Sequence, residues 1–173
     1  MALLALDDQG FKQSLWTATG GDAPDCPPLD TDKQADIAIV GGGFTGLSTA
    51  LHLAERGVSV IVLEARQPGW GASGRNGGQV IAGLKHDLAE MARRMISHAD
   101  KAADTAFDII ERLKLDCDAV RGGWVQSAHG VGVLEDQKKK AEKMAARGRA
   151  VSILSRQEMI ERVGTDWYVG GLF

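Results

Sequence analysis

Cysteine is nearly absent from this 173-residue chain, and the two present, Cys26 and Cys117, cannot build a disulfide framework. Nor do they stand at the spacing of a metal-ligand set, so no metal is expected. Such cysteine usage is compatible with a reducing compartment, and a cytoplasmic location is expected. Long hydrophobic runs are missing too. The longest weakly polar stretch, Ile37 to Leu51, holds four glycines with Thr45, Ser48 and Thr49. It is shorter than the ~20 residues of a membrane span. The N-terminal "MALLAL" lacks a basic flank and is ended by Asp7 and Asp8, which argues against a targeting segment. Excess positive charge is lacking as well: the net charge is -3, giving no electrostatic case for nucleic acid or an anionic membrane. Proline is rare, with three of four residues confined to "PDCPP". No internal repeat or low-complexity tract is present.

Apolar residues make up 44% and charged residues 25%, a globular composition, and the length suits one ordinary domain. Residues 1–34 read as an arm or linker, because "TGGDAPDCPPLDTDKQ" favours extended or turning backbone over helix. Trp16 either anchors this arm or belongs to a loose leader. From Asp36 the pattern sharpens. "DIAIV" is a short apolar run of the kind found in parallel strands buried on both faces. Leu47, Ala50, Leu51 and Ala54 then recur at helical spacing, predicting a helix over Gly46–Arg56 that Gly57 ends in a left-handed conformation. "VSVIVLE" supplies a second strand, completing a βαβ unit.

Beyond it, "PGWGASGRNGGQV" is too irregular for either element. Residues 87–114 read as two helices, split where "SHAD" (Ser97 to Asp100) has capping-box spacing. "DAVRGGWVQSA" is strand-like, "LEDQKKKAEKMAARG" is a charged surface helix stopped by Gly148, and "AVSIL" is a short strand. "SRQE" (Ser155 to Glu158) again fits a capping box and opens a helix to about Val163. "WYVGGLF" reads as the start of a strand. The expected organisation is therefore an arm (1–34), a βαβ with its second glycine-rich loop (35–85), and a helical segment with the beginning of a further domain (86–173).

Gly41, Gly43 and Gly46 form G-x-G-x-x-G, with Gly42 as an additional glycine. The pattern is weak alone, but here it follows a strand, opens a helix, and precedes Glu64 at the end of the next strand. That is the context of a dinucleotide fingerprint. Gly41 permits the tight turn, Gly43 permits approach of a pyrophosphate, and Gly46 permits close packing of helix on strand. The phosphates would face the helix N-terminus, and a carboxylate at Glu64 would accept hydrogen bonds from ribose hydroxyls. The plain alternative is an ordinary α/β turn with a surface glutamate. The βαβ does not choose between FAD and NAD, since both carry an ADP half.

The second loop separates them. The combination "GGGFTGLSTALHLAERG…VLEA…GWGASGRNGGQ" resembles the D-amino-acid-oxidase-like (DAO) family of FAD-dependent oxidoreductases, in the branch that contains gamma-glutamylputrescine oxidases. The resemblance implies an α/β fold: a Rossmann-like FAD/NAD(P)-binding βαβ with the start of a mixed α+β substrate domain. It implies FAD as cofactor, with Gly41, Gly43, Thr45 and Gly46 at the pyrophosphate, Glu64 on the adenosine ribose and Arg66 beside the adenosine end. Ala72, Ser73, Arg75, Asn76, Gly77, Gly78 and Gln79 would run along the pyrophosphate towards the isoalloxazine ring. Arg75 would offer a fixed positive charge, or only pair with a structural carboxylate.

The family's chemistry is hydride transfer from the carbon beside an amine to the flavin, so a small-molecule amine or amino-acid substrate is implied, without nucleic acid or a membrane span. Family members are more than twice this long, so the chain reads as the N-terminal, incomplete portion of such an oxidoreductase. A second chain or a downstream segment would complete it, and no catalytic residue is assigned. Two alternatives stand beside this: a non-catalytic dinucleotide-binding subunit or remnant, and an NAD-dependent dehydrogenase. By themselves residues 1–173 are expected to be inactive, to bind FAD weakly, and to be insoluble or self-associated. The other candidates read as bland: His52 solvated, His86 beside Asp87 at a helix start, His98 in a cap, His129 in a turn, Trp124 in core or sheet surface, and Lys138–Lys140 on a solvated helix face.

Overall fold

The computed structural model describes residues 14–81 and 93–173. It divides into two compact units, one ending at Val80 and one beginning at Ile81. His86 and Asp87, with the predicted helical stretch before Arg93, lie outside the described residues.

In the first unit, β1 (Ile37–Val40) and β2 (Val60–Leu63) pair in parallel, Ile37 opposite Val60 and Val40 opposite Leu63. A parallel pair needs a crossover, and the helix Phe44–Ala54 supplies it. It starts two residues before the predicted Gly46, because the turn is confined to Gly41–Gly43 and Phe44 is already helical. The predicted left-handed glycine follows its end: Gly57 has φ 79° and donates its N–H to the Ala54 carbonyl at 2.9 Å. The expectation that both strands are buried on both faces does not hold within this unit. Val40 is 88% exposed and β2 is half-buried, since one helix covers one side of a two-stranded sheet.

The arm also departs from a wholly extended reading. A short helix, Leu15–Thr19, precedes the proline-rich part, and the Ser14 hydroxyl caps it by accepting the Thr17 N–H at 3.2 Å. The prolines begin only at Pro24, so their constraint on backbone does not reach this turn. Residues 20–34 have no regular element. Among the described residues of this first unit, the helices are α1 (Leu15–Thr19) and α2 (Phe44–Ala54).

The second unit starts, within the described residues, with α3 (Arg93–Leu113), one uninterrupted helix. The split at "SHAD" is therefore wrong. A capping residue needs extended backbone, whereas position 97 lies inside the helix. Asp100 instead accepts a hydrogen bond from Arg149 Nη1 at 2.8 Å. His98 consequently sits mid-helix and exposed, not in a cap. Leu113 is followed by Lys114 at φ 53°, where the chain turns away.

The antiparallel sheet of this unit has the order β3-β5-β4, from β3 (Gln126–Ala128), β4 (Ile153–Ser155) and β5 (Gly170–Leu172). The predicted strand over "DAVRGGWVQSA" shrinks to its last three residues. Upstream, Asp118 and Gly123 have positive φ (51° and 80°), which bends the chain out of any ladder. α4 (Val131–Ala145) begins before the predicted Leu134, directly after Gly130, and Gly148 follows it at φ 78°. α5 (Arg156–Val163) starts as predicted. Ser155 Oγ accepts the Glu158 N–H, and the Glu158 carboxylate returns to the Ser155 N–H at 2.7 Å.

Ala128, Leu154, Met159 and Leu172 form the buried apolar core of this unit among the described residues. The Gly170–Gly171 pair makes that packing possible. A Cβ at Gly171 would lie 2.7 Å from Met159 Sδ, and one at Gly170 would lie 2.9 Å from Leu134 Cδ1. Gln137 is buried beside them, its Nε2 donating to the Gln126 carbonyl at 3.0 Å. Among the described residues, no helix is long and apolar enough to cross a membrane.

Candidate functional site

The glycine turn lies at the C-terminal end of β1. Gly41 has φ 102°, a conformation only glycine adopts without strain, and its N–H donates to the Leu63 carbonyl at 2.8 Å. Gly46 lies one turn into α2, directly against that carbonyl-bearing turn. A Cβ on it would overlap the Gly41 oxygen and sit 3.1 Å from the Gly41 carbon and 3.4 Å from Ile39 Cγ2. Gly43 caps α2 without a side chain, and the helix has no acidic residue in its first turn. Thr45, the next predicted site residue, is exposed on that turn.

Glu64 follows β2 and reaches back across the sheet to this turn. Its Oε2 accepts the Gly42 N–H at 2.7 Å and its Oε1 accepts the Arg66 N–H at 3.0 Å. The carboxylate is half-buried and fixed in direction by two backbone donors. Each carboxylate oxygen accepts more than one hydrogen bond, so acceptor capacity remains.

The second glycine-rich loop is tied to the first. The Gly69 N–H donates to the Gly42 carbonyl at 2.8 Å. A single 3-10 turn, Ala72–Gly74, brings Ser73 to the N-terminus of α2, where its Oγ accepts the Phe44 N–H at 3.0 Å. The close approach at Gly43 is to this side chain, since a Cβ there would lie 3.0 Å from Ser73 Oγ. Arg75 donates through Nε to the Trp70 carbonyl at 3.0 Å. Its guanidinium carbon lies 5.0 Å from the Trp70 ring centroid, and that of Arg66 lies 4.3 Å from the same centroid. Both distances fall within cation–π range. Arg66, expected beside the adenosine end, and Arg75, expected along the pyrophosphate, thus share one indole.

Asn76 closes its own loop, with Nδ2 donating to the Ser73 carbonyl at 2.5 Å and Oδ1 accepting the Gly78 N–H at 2.7 Å. Trp16 then reaches in from α1, its Nε1 donating to the Asn76 carbonyl at 2.9 Å. This settles the two readings of the arm: Trp16 does anchor it. Gly77, Gly78 and Gln79 are exposed. No group of three or more His, Cys, Asp and Glu residues positioned for a metal occurs among the described residues.

His52 is half-exposed, with Nδ1 2.7 Å from the Ser48 carbonyl oxygen. In the second unit, His129 is exposed just before α4, and Trp124 is 41% exposed. Lys138 to Lys140 are exposed on α4, where Lys138 holds the Glu135 carboxyl below its ordinary range through a 2.8 Å hydrogen-bonded ion pair.

A glycine turn at a helix N-terminus, with an acidic residue at the end of the neighbouring parallel strand, is the arrangement of the dinucleotide fingerprint. The chain belongs to the DAO family of FAD-dependent oxidoreductases, whose pattern matches residues 36–173. It is 35% identical over 158 residues to the gamma-glutamylputrescine oxidoreductase of Escherichia coli (strain K12), covering 84% of this chain and 37% of that protein. It is 33% identical over 157 residues to the probable oxidoreductase OrdL of Haemophilus influenzae, covering 85% and 36%. The chain thus spans little more than a third of the length of these relatives. Among solved structures, the L-amino acid deaminase of Proteus vulgaris matches with a TM-score of 0.70 at 23% identity, over 87% of this chain and 36% of that one. The glycine oxidase of Geobacillus kaustophilus matches with a TM-score of 0.65 at 23% identity, over 80% and 38%. These likenesses establish the α/β fold.

Sequence reasoning missed Trp70. The signal was present: it is the single aromatic residue of "PGWGASGRNGGQV", four residues after Arg66 and five before Arg75. The Gly42 amide was also overlooked, because its partner lies 22 residues away.

Proposed function

We propose that this chain supplies the ADP-binding part and the flavin-side loop of an FAD-dependent enzyme that oxidises an amine or amino acid. The observation that carries the reading is the Glu64 carboxylate, held by the Gly42 amide at 2.7 Å. It sets an acceptor for ribose hydroxyls beside a helix N-terminus whose first N–H groups have no intrahelical acceptor. The residues fit the group. The first N–H groups of a helix have no intrahelical partner, and Gly43 offers them no side chain. The Phe44 N–H already donates to Ser73 Oγ at 3.0 Å; the dipole of α2 favours an anion at the turn and supports this reading.

Gly41, Gly43, Thr45 and Gly46 would face the pyrophosphate, Glu64 the ribose and Arg66 the adenosine end. Ala72, Ser73, Arg75, Asn76, Gly77, Gly78 and Gln79 would follow the cofactor towards its ring system. Ser73 keeps its hydroxyl proton for donation while its oxygen accepts the Phe44 N–H. Arg75, packed on Trp70, is a preoriented positive charge. When bound, FAD supplies the hydride acceptor, and these residues bind and orient it. The relatives' names support a small amine or amino-acid substrate: gamma-glutamylputrescine in one, glycine in another. In this division, residues 35–85 bind the cofactor, residues 86–173 begin the substrate side, and the reaction runs in the cytoplasm.

An absorbance scan of the completed protein, in which this chain is joined by the segment or partner that supplies the rest of the fold, followed by chromatography of the released cofactor, tests the reading. A yellow protein releasing FAD is expected; a colourless protein that binds NAD would refute it. Anaerobic bleaching of that completed protein with a panel of amines is expected, whereas bleaching by 2-hydroxy acids alone would refute the amine assignment.

A further inference from the structure

The segment Asn76–Gln79 is exposed and contains two adjacent glycines, a composition with much backbone freedom to lose on ordering. Two bonds made by the Asn76 side chain shape it from within. The third constraint comes from 60 residues earlier. Trp16 Nε1 donates to the Asn76 carbonyl at 2.9 Å, and the same indole covers Gly78. A Cβ on Gly78 would lie 2.5 Å from Trp16 Cη2 and 2.7 Å from Cζ2. Gly78 has φ 70°. The loop therefore combines a backbone that favours glycine with a ring resting where a side chain would be.

Trp16 is itself held. It lies in α1, with the Ser14 hydroxyl on the Thr17 N–H at 3.2 Å and the Gly20 N–H on the Trp16 carbonyl at 2.9 Å. We infer that Trp16 is a positioning residue for the cofactor: the indole latches the Asn76–Gln79 loop in its binding conformation. The inference rests on the reading of that loop as a flavin-side segment. Its physical basis is preorganisation. A loop ordered in the free protein does not lose that entropy again on binding, so affinity rises without a new contact to the ligand. Trp16 thus acts through main chain that it orders.

Two variants test this, Trp16→Ala and Trp16→Phe, with amide hydrogen exchange on the cofactor-free protein and FAD titration of the same preparation. Trp16→Ala is expected to speed exchange over residues 76–80 and to weaken FAD binding roughly tenfold, the scale of one or two neutral hydrogen bonds. Exchange over residues 37–63 is expected to stay unchanged. Trp16→Phe keeps a ring over Gly78 but loses the donor, and should fall between wild type and Trp16→Ala in both readouts. Unchanged exchange over 76–80, or equal acceleration over 37–63, would overturn the latch. Faster exchange with unchanged FAD affinity would overturn its link to the cofactor. If the unmodified protein binds no FAD, the proposed function fails and takes the cofactor link with it, while the exchange result still decides the contact between Trp16 and the loop.

Discussion

Replacing Gly46 with alanine sets two effects of opposite sign against each other. Alanine is the better helix former, by about 1 kcal/mol in a helix interior and less in the first turn. Propensity alone therefore predicts a more stable protein. Packing predicts the reverse. The new Cβ would overlap the Gly41 carbonyl oxygen and stand 3.1 Å from its carbon, with Ile39 Cγ2 at 3.4 Å on the other side. Carbon atoms pack comfortably at about 3.5–4.0 Å, so α2 would have to lift away from β1. The two nearest obstructing atoms are backbone, and the Gly41 N–H is already committed to Leu63 at 2.8 Å, so the turn cannot yield cheaply. Overpacking of this kind costs about 1–3 kcal/mol, and rigid neighbours place it at the upper end. The net expectation is a loss of about 2 kcal/mol, or roughly 4–8 °C in melting temperature for a chain of this size. Gly71→Ala is the control, because nothing lies within 4 Å of its Cβ position and its φ is -73°. Circular dichroism melts of both variants beside the wild type make the comparison. A Gly46→Ala protein that melts at or above wild type would refute the close-packing argument.

Glu64→Gln should weaken FAD binding by roughly 1–3 kcal/mol, the range for hydrogen bonds to a charged group. Titration of apoprotein that returns an unchanged affinity would remove Glu64 from the ribose. Residues 1–173 expressed alone should self-associate, because Val40 is 88% and Phe44 67% exposed, and among the described residues β1 pairs only with β2. Light scattering should give a mass above that of one chain, and Val40→Lys should lower it; a monodisperse wild-type monomer contradicts this. Hydrogen bonds from the Ser155 N–H and hydroxyl hold the Glu158 carboxyl below its ordinary value of 4.5. A lowered folded-state value stabilises the fold above 4.5 and loses that contribution as pH falls through the lowered value. Glu158→Gln should therefore be less stable than wild type at pH 7, with the gap closing in acid; a gap independent of pH between 7 and 3 would show that the charge contributes nothing.

Two segments with the same local signature show where sequence reasoning succeeds and where it stops. "SRQE" and "SHAD" both carry a serine followed three residues later by an acid. The first forms a capping box at the start of α5, as read. The second lies inside α3, and its Asp100 pairs with Arg149, 49 residues downstream. The cap pattern is a local preference, and it is realised only where the chain on its N-terminal side leaves the helix. At Ser155 a strand ends; at Ser97 the helix simply continues.

The amino-acid sequence by itself determined the βαβ unit, the Gly41 turn, the close packing at Gly46 and the placement of Glu64. Each follows from backbone conformation or side-chain periodicity over a few residues, and those forces act wherever the segment sits. Tertiary structure alone decided that Ser73 meets the N-terminus of α2, that Arg66 and Arg75 share Trp70, and that Trp16 lies on Gly78. The contacts of Ser73 and Trp16 join residues 29 and 60 positions apart. Their existence depends on the path of irregular loops, which no short-range preference specifies.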